Sequence, residues 1–253
     1  MHEVLLFIYL LFGGILGGLL STMASIASLA TYPILLSAGI PPVFANTTND
    51  AALIWTGISS GLSSTKELKG HWKELAFYAI FAVFGSFIGC MLLIHFPAKV
   101  FEKVVPFCIA FSGILILFSD KLTVKDASNL SKGAKLLSLL GVIIFGIYGG
   151  YFGAAAGILL ISLLNIITDH SFLTINAMKN IIGPLSNSMA LIIYSFTETI
   201  YWSAAIPMAI GMFIGGYPGP KIMRHIPVKV IRIVISILAL IQASYYAYTA
   251  YFK

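Results

Sequence analysis

Eight apolar segments, most of them long enough to cross a lipid bilayer, constrain what this chain can fold into. A helix needs about 20 mostly apolar residues to cross a bilayer core of about 30 Å. Only 9% of the residues are charged, whereas soluble domains average about 25%. The sequence therefore predicts an all-α integral membrane protein with no soluble domain. The segments are Val4–Ala38, Phe44–Leu62, Leu75–Phe96, Val100–Phe118, Lys135–Ile167, Phe172–Phe196, Trp202–Met223 and Val230–Tyr251.

The first and fifth segments are too long for one ordinary span. A helix of 35 residues, the length of the first segment, would run about 52 Å at 1.5 Å per residue. Small residues interrupt both segments, at Gly13–Ser28 and at Gly146–Gly157, and glycine weakens a helix interior. We therefore expect each long segment to be a hairpin with two legs of about 15 residues.

The second half of the chain repeats the first at a constant offset, the one that separates Trp72 from Trp202. His95–Val100 (HFPAKV) corresponds to His225–Val230 (HIPVKV), and such co-linear matches indicate a duplicated unit. We predict a first transmembrane repeat over residues 1–119, a cytoplasmic linker over 120–134 and a second repeat over 135–253. Further single residues that match at this repeat offset are Asn46 with Asn176, Gly85 with Gly215 and Gly89 with Gly219.

The loop charges predict that the two repeats are inverted relative to each other. Cytoplasmic loops favour Lys and Arg. If all eight segments crossed the membrane once, seven basic residues would lie on one side and six on the other. If the two hairpins are re-entrant, each half crosses the membrane three times. Eleven basic residues then lie on the cytoplasmic side and three on the outer side, and both termini lie outside the cell. The eleven are Lys66, Lys69, Lys73, Lys121, Lys125, Lys132, Lys135, Lys221, Arg224, Lys229 and Arg232; the three are Lys99, Lys103 and Lys253.

Inverted repeats with broken helices are typical of transporters, whose site lies near the bilayer midplane, and Phe172–Phe196 carries polar residues suited to such a site. A charge inside a membrane segment is costly and usually faces a functional cavity, so Lys179 is the main candidate. The alternative is that its helix starts later and Lys179 extends to the lipid surface. The amides either bind an anion or only hold helices together. The predicted substrate-binding residues are Lys179, Asn176, Asn180, Asn187, Asn46, Thr47, Asn49, Gly153 and Gly157.

Asp50 is the candidate for ion coupling. A buried carboxylate beside an anion site repels the substrate unless it is protonated or paired. Asp50 can therefore pair with Lys179 in the empty site or carry a coupling proton; the third option is a helix-start carboxylate at the membrane interface. Pro184 predicts a kinked or broken helix at the site.

Motifs in both halves resemble the TauE/SafE family of sulfite and organosulfonate transporters. In the second half they are GGYFGAAAGILLIS (Gly149–Ser162), INAMKNIIGPLSNSMA (Ile175–Ala190) and GGYPGPKI (Gly215–Ile222). In the first half, the small-residue stretch Ser21–Pro33 followed by Gly39–Pro42 (GIPP) fits the same pattern. The resemblance implies a secondary carrier of a small sulfur-containing anion across the cytoplasmic membrane, working by alternating access in either direction. The first hairpin lacks several family glycines, so equal use of both hairpins stays open.

Other classes of protein have less support. The chain has no HExxH or GxxxxGK[ST] motif, so we predict neither an enzyme nor an ATP-driven pump. The net charge of +6 fits loop charges at one membrane face, and no nucleic-acid partner is expected. No cofactor is predicted, and no metal site, because His95 and His225 have no carboxylate or Cys at metal-binding spacing. A channel and a carrier of another small organic anion such as a carboxylate stay open, as do H⁺ or Na⁺ coupling and the oligomeric state.

Overall fold

The computed structural model describes residues 2–118, 132–218 and 228–252, and within these residues the regular structure consists of ten α-helices. The helices follow the eight predicted segments, with the first and fifth each divided in two. Residues 120–131 of the predicted linker and 225–227 of the repeated HIPVKV motif lie outside the described residues, as does Gly219. The helices are α1 (His2–Ala24), α2 (Ala27–Ser37), α3 (Pro42–Ser63), α4 (Trp72–His95), α5 (Ala98–Phe118), α6 (Lys132–Tyr151), α7 (Ala156–Ile167), α8 (Phe172–Thr197), α9 (Trp202–Gly216) and α10 (Val228–Phe252).

Both hairpins have unequal legs, which corrects the expectation of two legs of about 15 residues. α1 has 23 residues and α2 has 11, while α6 has 20 and α7 has 12. The chain breaks late in each segment because Ser25 (φ +59°) and Ala155 (φ +55°) adopt the left-handed backbone conformation, which a right-handed helix cannot continue through. These two residues are separated by the same offset as Trp72 and Trp202, so the breaks are equivalent in the two halves.

Several helices have the length and apolar character of membrane spans. Four qualify within the described residues: α1, α4, α5 and the Ile233–Phe252 part of α10. Their outer faces present large exposed apolar side chains, for example Phe12, Phe84 and Phe107, where lipid tails would cover them. α3 and α8, with 22 and 26 residues, are as long as these four spans, but they carry the polar candidate residues. The chain is therefore a multi-pass membrane protein.

The main helix contacts pair the two halves in a regular way. α1 packs on α9, and its counterpart α6 packs on α4; α3 packs on α9, and its counterpart α8 packs on α4. The remaining large contacts join counterparts directly, α3 with α8 and α5 with α10. The contact pattern thus maps onto itself when α1–α5 are exchanged with α6–α10, as expected of a duplicated unit.

Glycines let α1 and α9 approach to backbone contact. A Cβ atom added to Gly14 or Gly18 would collide with backbone carbonyls of α9, and one added to Gly211 or Gly215 would collide with those of α1. Each pair is four residues apart, the spacing with which small residues line the contact between membrane helices.

The same contact recurs between α4 and α6. A Cβ atom at Gly85 or Gly89 would collide with carbonyls of α6, and one at Gly146 or Gly150 with carbonyls of α4. The second half has therefore kept the close crossing with the roles of the two halves exchanged.

These contacts group eight of the helices into two bundles. We call α4, α6, α7 and α8 the lysine bundle, because it carries Lys179, and α1, α2, α3 and α9 the aspartate bundle, because it carries Asp50. One cluster of buried apolar side chains is confined to the lysine bundle and the neighbouring Leu68; a second, larger cluster joins the aspartate bundle to α5, α10 and parts of α4, α7 and α8. Each bundle takes helices from both halves of the chain.

Candidate functional site

A cavity of about 90 Å³, with several polar side chains in its lining, lies between the two bundles. It can hold several water molecules or a small ion, since a single water needs about 10–15 Å³ on such a measure. Helices α1, α2, α3, α6, α7 and α8 and both hairpin breaks contribute to it. Its lining residues are Ser21, Ser25, Ala27, Ser28, Asp50, Leu53, Gly57, Ser60, Phe145, Gly149, Gly153, Ala156, Gly157, Lys179, Asn180, Gly183, Pro184, Ser186 and Asn187.

The two hairpin breaks meet at Lys179. Its ammonium group donates a hydrogen bond to Ser25 Oγ at 3.1 Å and lies 3.5 Å from the carbonyl oxygen of Ser21. Gly157 lies against both partners, because a Cβ atom there would be 2.7 Å from Ser25 Cβ and 3.1 Å from Lys179 Cδ. One cation is therefore held between the break of the first hairpin and the start of α7 in the second.

Lys179 lies inside the fold rather than at the lipid surface. Its helix starts at Phe172, where Ser171 Oγ accepts a hydrogen bond from the backbone N–H of Thr174 at 3.2 Å, an ordinary N-cap. Lys179 is thus about two turns into α8, and only 6% of its surface is exposed. The alternative in which its helix starts later does not apply.

Two helices begin at this cavity, so their N-termini face it. α2 starts at Ala27 and α7 at Ala156, and both residues line it together with their neighbours Ser28 and Gly157. The first N–H groups of a helix have no partner within the helix, and the N-terminal end carries a partial positive charge. Together with Lys179 these ends favour an anion.

Asp50 lines the same cavity from α3 but forms no ion pair with Lys179. Asp50 is 1% exposed, and its Oδ2 has no hydrogen-bond partner. A buried carboxylate without a partner is costly when charged. Since Asp50 lies well inside the protein, the option of an interfacial helix-start carboxylate does not fit its position.

The other predicted polar residues divide into two groups. Asn180 and Asn187 line the cavity together with Gly153 and Gly157. Asn180 also donates to Ser64 Oγ at 3.3 Å. Asn187 has no hydrogen bond to another described residue, so its amide is available to a ligand.

Four predicted residues lie outside the cavity lining. Asn49 accepts from Thr31 at 2.6 Å and donates to Ser28 Oγ at 3.1 Å, which fixes the start of α2. Asn46 donates to the carbonyl of Tyr151 at 3.2 Å, and Thr47 to that of Thr199 at 3.1 Å. These three side chains join structural elements, and Asn176 is half-buried near the start of α8.

Pro184 does not break its helix, which corrects the expectation of a broken helix at the site. α8 runs without interruption from Phe172 to Thr197. The proline ring instead packs on Gly57 of α3, where a Cβ atom would overlap it. The Pro184–Gly57 contact is therefore the point where the two bundles cross.

Five serines of the cavity were not predicted as binding residues: Ser21, Ser25, Ser28, Ser60 and Ser186. The first three belong to the small-residue stretch of the first hairpin. Their signal is the small-residue stretch itself, since it forms the same kind of break as the glycine-rich stretch of the second hairpin. Ser186 Oγ is buried with no hydrogen-bond partner, which leaves a free hydroxyl beside the cavity.

Comparisons with known proteins give one family and several relatives that span almost the whole chain. The profile of the family described as "Sulfite exporter TauE/SafE" matches residues 10–246. A "Probable membrane transporter protein" of Haemophilus influenzae is 24% identical over 235 residues, which is 93% of this chain and 92% of the relative. The "Probable membrane transporter protein YfcA" of Escherichia coli K12 is 23% identical over 242 residues, 96% of this chain and 90% of that protein.

A third relative, the "Probable membrane transporter protein ORF9" of Sinorhizobium, is 23% identical over 236 residues, 93% of this chain and 90% of the relative. No solved structure matches the chain significantly. The family is a class of membrane transporters rather than of enzymes. Since its profile covers almost the whole chain, through both hairpins and the helix of Lys179, this protein is a membrane transporter that belongs to the sulfite exporter TauE/SafE family.

Proposed function

We propose that the protein is a secondary transporter that carries a small sulfur-containing anion, such as sulfite or an organosulfonate, across the cytoplasmic membrane. The observation that carries the proposal is the meeting of both hairpin breaks at Lys179 in one buried cavity. An anion that leaves water needs donors to replace its hydration shell. Lys179, the serine hydroxyls, the Asn187 amide and the two helix N-termini supply such donors at one place.

Transport would follow alternating access around this cavity. In many transporters inverted repeats meet at a midplane site, and one bundle rocks against the other. The exchange-symmetric helix contacts and the Pro184–Gly57 crossing support this arrangement here. The inverted topology puts both termini outside the cell; labelling of a single cysteine at either terminus from outside intact cells tests it.

Asp50 is the proposed coupling group. Its carboxylate faces the same cavity as Lys179 without pairing with it, so a proton or Na⁺ that neutralises Asp50 would lower the repulsion of an entering anion. Coupling of this kind makes transport by Asp50→Asn independent of the ion gradient. Measuring flux in proteoliposomes with and without the gradient tests the role.

The first test is the thermal stability of the purified protein against a panel of anions. The panel holds sulfite, sulfate, short sulfonates, sulfoacetate and small carboxylates. A bound ligand stabilises by mass action, by about 2.7 kcal/mol at a hundredfold excess over Kd. We expect a sulfur anion to raise the melting temperature of the wild type and to have no effect on Lys179→Met, which keeps an unbranched side chain one atom shorter and removes its charge.

Lys73→Met is the matched control, because Lys73 is exposed at the start of α4 and its variant should respond like the wild type. Stabilisation by carboxylates alone would replace the sulfur anions with organic acids as the substrate class. A response that persists in Lys179→Met would remove Lys179 from the site. Flux that does not saturate with anion concentration would favour a channel.

A further inference from the structure

Three metal-ligating side chains lie together outside the lining of the cavity between the two bundles. His71, Glu74 and His170 bring one ligand atom each within 4.8 Å of one another. His170 Nε2 lies 2.6 Å from Glu74 Oε2, and the imidazole rings of His71 and His170 are 4.2 Å apart. We propose that this group binds a zinc ion, which ties the start of α4 to the loop before α8.

The local structure presents these side chains as a clamp. His71 is the residue before α4, and Glu74 lies in the first turn of that helix. One ligand atom of each lies within 4.8 Å of one of His170, so both side chains point towards the chain segment that carries His170. Because α4 belongs to the first half of the chain and α8 to the second, an ion here would join the two halves within the lysine bundle.

The donor set suits zinc better than a hard cation. Two imidazole nitrogens and one carboxylate oxygen are common zinc ligands, and with water in the fourth position they complete a tetrahedron. Ligand atoms around such an ion are about 3.3 Å apart, as follows from bonds of about 2.0 Å. His170 Nε2 and Glu74 Oε2, now 2.6 Å apart, would separate slightly to admit it.

The surroundings orient the carboxylate and leave the group accessible. The hydroxyl of Tyr78 lies 3.5 Å from Glu74 Oε1, so Oε2 is the oxygen that faces His170. Outer partners of this kind orient metal ligands. The side chains of His170 and Glu74 are 21% and 35% exposed, so an ion can enter from water while the ligands stay held by packing.

The equivalent contact in the aspartate bundle, between the start of α9 and the loop before α3, has no metal-ligating side chains at these positions. At the repeat offset, Ile40, Tyr201 and Ala204 occupy the positions of His170, His71 and Glu74. Ile40 and Ala204 are buried at 7% and 5% exposure, and the ring of Tyr201 packs against Phe44 with centroids 6.0 Å apart. Apolar packing is therefore sufficient to hold this junction, and the imidazoles and carboxylate are a distinct feature of the lysine bundle.

The test uses the purified full-length protein with any affinity tag removed, because polyhistidine itself binds zinc. We expect Zn²⁺ at about a hundredfold excess over Kd to raise the melting temperature by about 5 °C or more. A chelator should reverse the rise, and Mg²⁺ should not produce it. Co²⁺, which reports tetrahedral coordination by its visible absorption, should titrate the wild type at one ion per chain.

Two variants and two matched controls locate the site. Glu74→Gln and His170→Gln should lose the zinc response. Asp169→Asn removes a neighbouring exposed carboxylate, and His95→Gln removes an exposed imidazole at the far end of α4; both should keep the response. Wild-type protein with neither zinc stabilisation nor a stoichiometric cobalt spectrum would overturn the proposal, even if the variants fail to fold. A full response in folded Glu74→Gln and His170→Gln would also overturn it.

Discussion

Gly157 keeps the cavity between the two bundles open because it has no side chain. Its backbone lies against Ser25 and Lys179 at the point where the two hairpins meet, so a single methyl group would occupy space that the lysine now uses. Gly183 lines the same cavity from α8, but a Cβ atom there would have no neighbour within 4 Å. Both glycines line the cavity, but only at Gly157 would an added methyl group meet neighbouring atoms. A comparison of the two positions therefore distinguishes a steric clash from the effect of changing any residue of the lining.

We predict that Gly157→Ala will destabilise the protein and weaken anion binding. An added methyl group in a packed site costs about 1–3 kcal/mol, and here it must displace Ser25 or Lys179. Gly183→Ala should be neutral or gain up to about 1 kcal/mol, because alanine is the better helix former. Thermal unfolding with and without the stabilising anion measures both effects. Equal behaviour of the two variants would contradict the contact between the hairpins.

Single residues were predictable where their chemistry was costly for a membrane segment. Lys179 and Asp50 stood out because a charge among apolar residues needs a reason, and both line the cavity. Ser25 and Ser186 did not stand out, because serine is common in membrane helices, where it bonds to other helices. His71, Glu74 and His170 were not predicted as a group, since Glu74 and His170 are far apart in the sequence and only the tertiary fold brings them together.

At the scale of helices, the two glycine-lined crossings fix how close the elements come. Gly146 of α6 lies directly on the backbone of α4, whereas Gly149, less than one turn further along the same helix, has no atom within 4 Å of its Cβ position. Both glycines are in the helix, so replacing either by alanine brings the same gain in helix propensity. The difference between them therefore reports the helix contact alone.

We expect Gly146→Ala to lower the melting temperature and Gly149→Ala to leave it unchanged or raise it. The Cβ atom at position 146 would meet backbone atoms of Ala82, Gly85 and Ser86, and backbone can yield only by separating the helices. Overpacking of this kind costs about 1–3 kcal/mol or more. Thermal unfolding in one detergent measures both variants; a stable Gly146→Ala protein would show that α4 and α6 are not in backbone contact.

The helices themselves followed from apolar length, but their packing register did not. Trp72 and Trp202 start equivalent helices, and the same repeat offset matches Gly85 with Gly215. In the packed structure Gly85 lies on a carbonyl of α6 as its match Gly215 lies on a carbonyl of α1, but Gly89 and Gly211 make the same kind of contact one helical turn away. Any row of small residues spaced four apart can slide by one turn, so sequence alone does not select the register.

At the scale of the whole molecule, the two bundles meet along α3 and α8. Gly61 of α3 faces Ile181 of α8 across this boundary, with the added Cβ atom 2.8 Å from Ile181 Cδ1. Gly141 and Leu163 make a similar contact, 2.6 Å by the same measure, between α6 and α7 inside the lysine bundle. These two pairs are of like geometry but differ in whether they cross the boundary.

We predict that a cross-link between the bundles stops transport and one within a bundle does not. The double variant Gly61→Cys/Ile181→Cys, made in a protein without Cys90 and Cys108, should lose anion flux when the two cysteines form a disulfide and regain it on reduction. Gly141→Cys/Leu163→Cys should transport equally in both states. Anion flux into proteoliposomes measures both. Undiminished flux through the bridged first pair would exclude a mechanism in which the bundles move against each other at α3 and α8.

A duplicated plan was predicted because Trp72, Trp202 and the two HxPxKV motifs repeat in order along the chain, and the helix contacts agree with it. The exchange of helices between the halves was not. A repeat read from sequence favours two units that each fold on themselves, whereas α1 packs on α9 and α4 on α6. Only long-range contacts carry that information, and the periodicity of apolar residues describes each helix separately.

This exchange has a consequence for how the protein is made. α1 ends at Ala24 and its glycine-lined partner α9 begins only at Trp202, so most of the chain must be synthesised in between. At about 5–20 residues per second, α1 waits roughly 10 to 35 s in the membrane with its closest contact surface unmatched. Neither half can complete a bundle alone, so the first half, released early, would be an unfinished substrate for quality-control proteases rather than a smaller transporter.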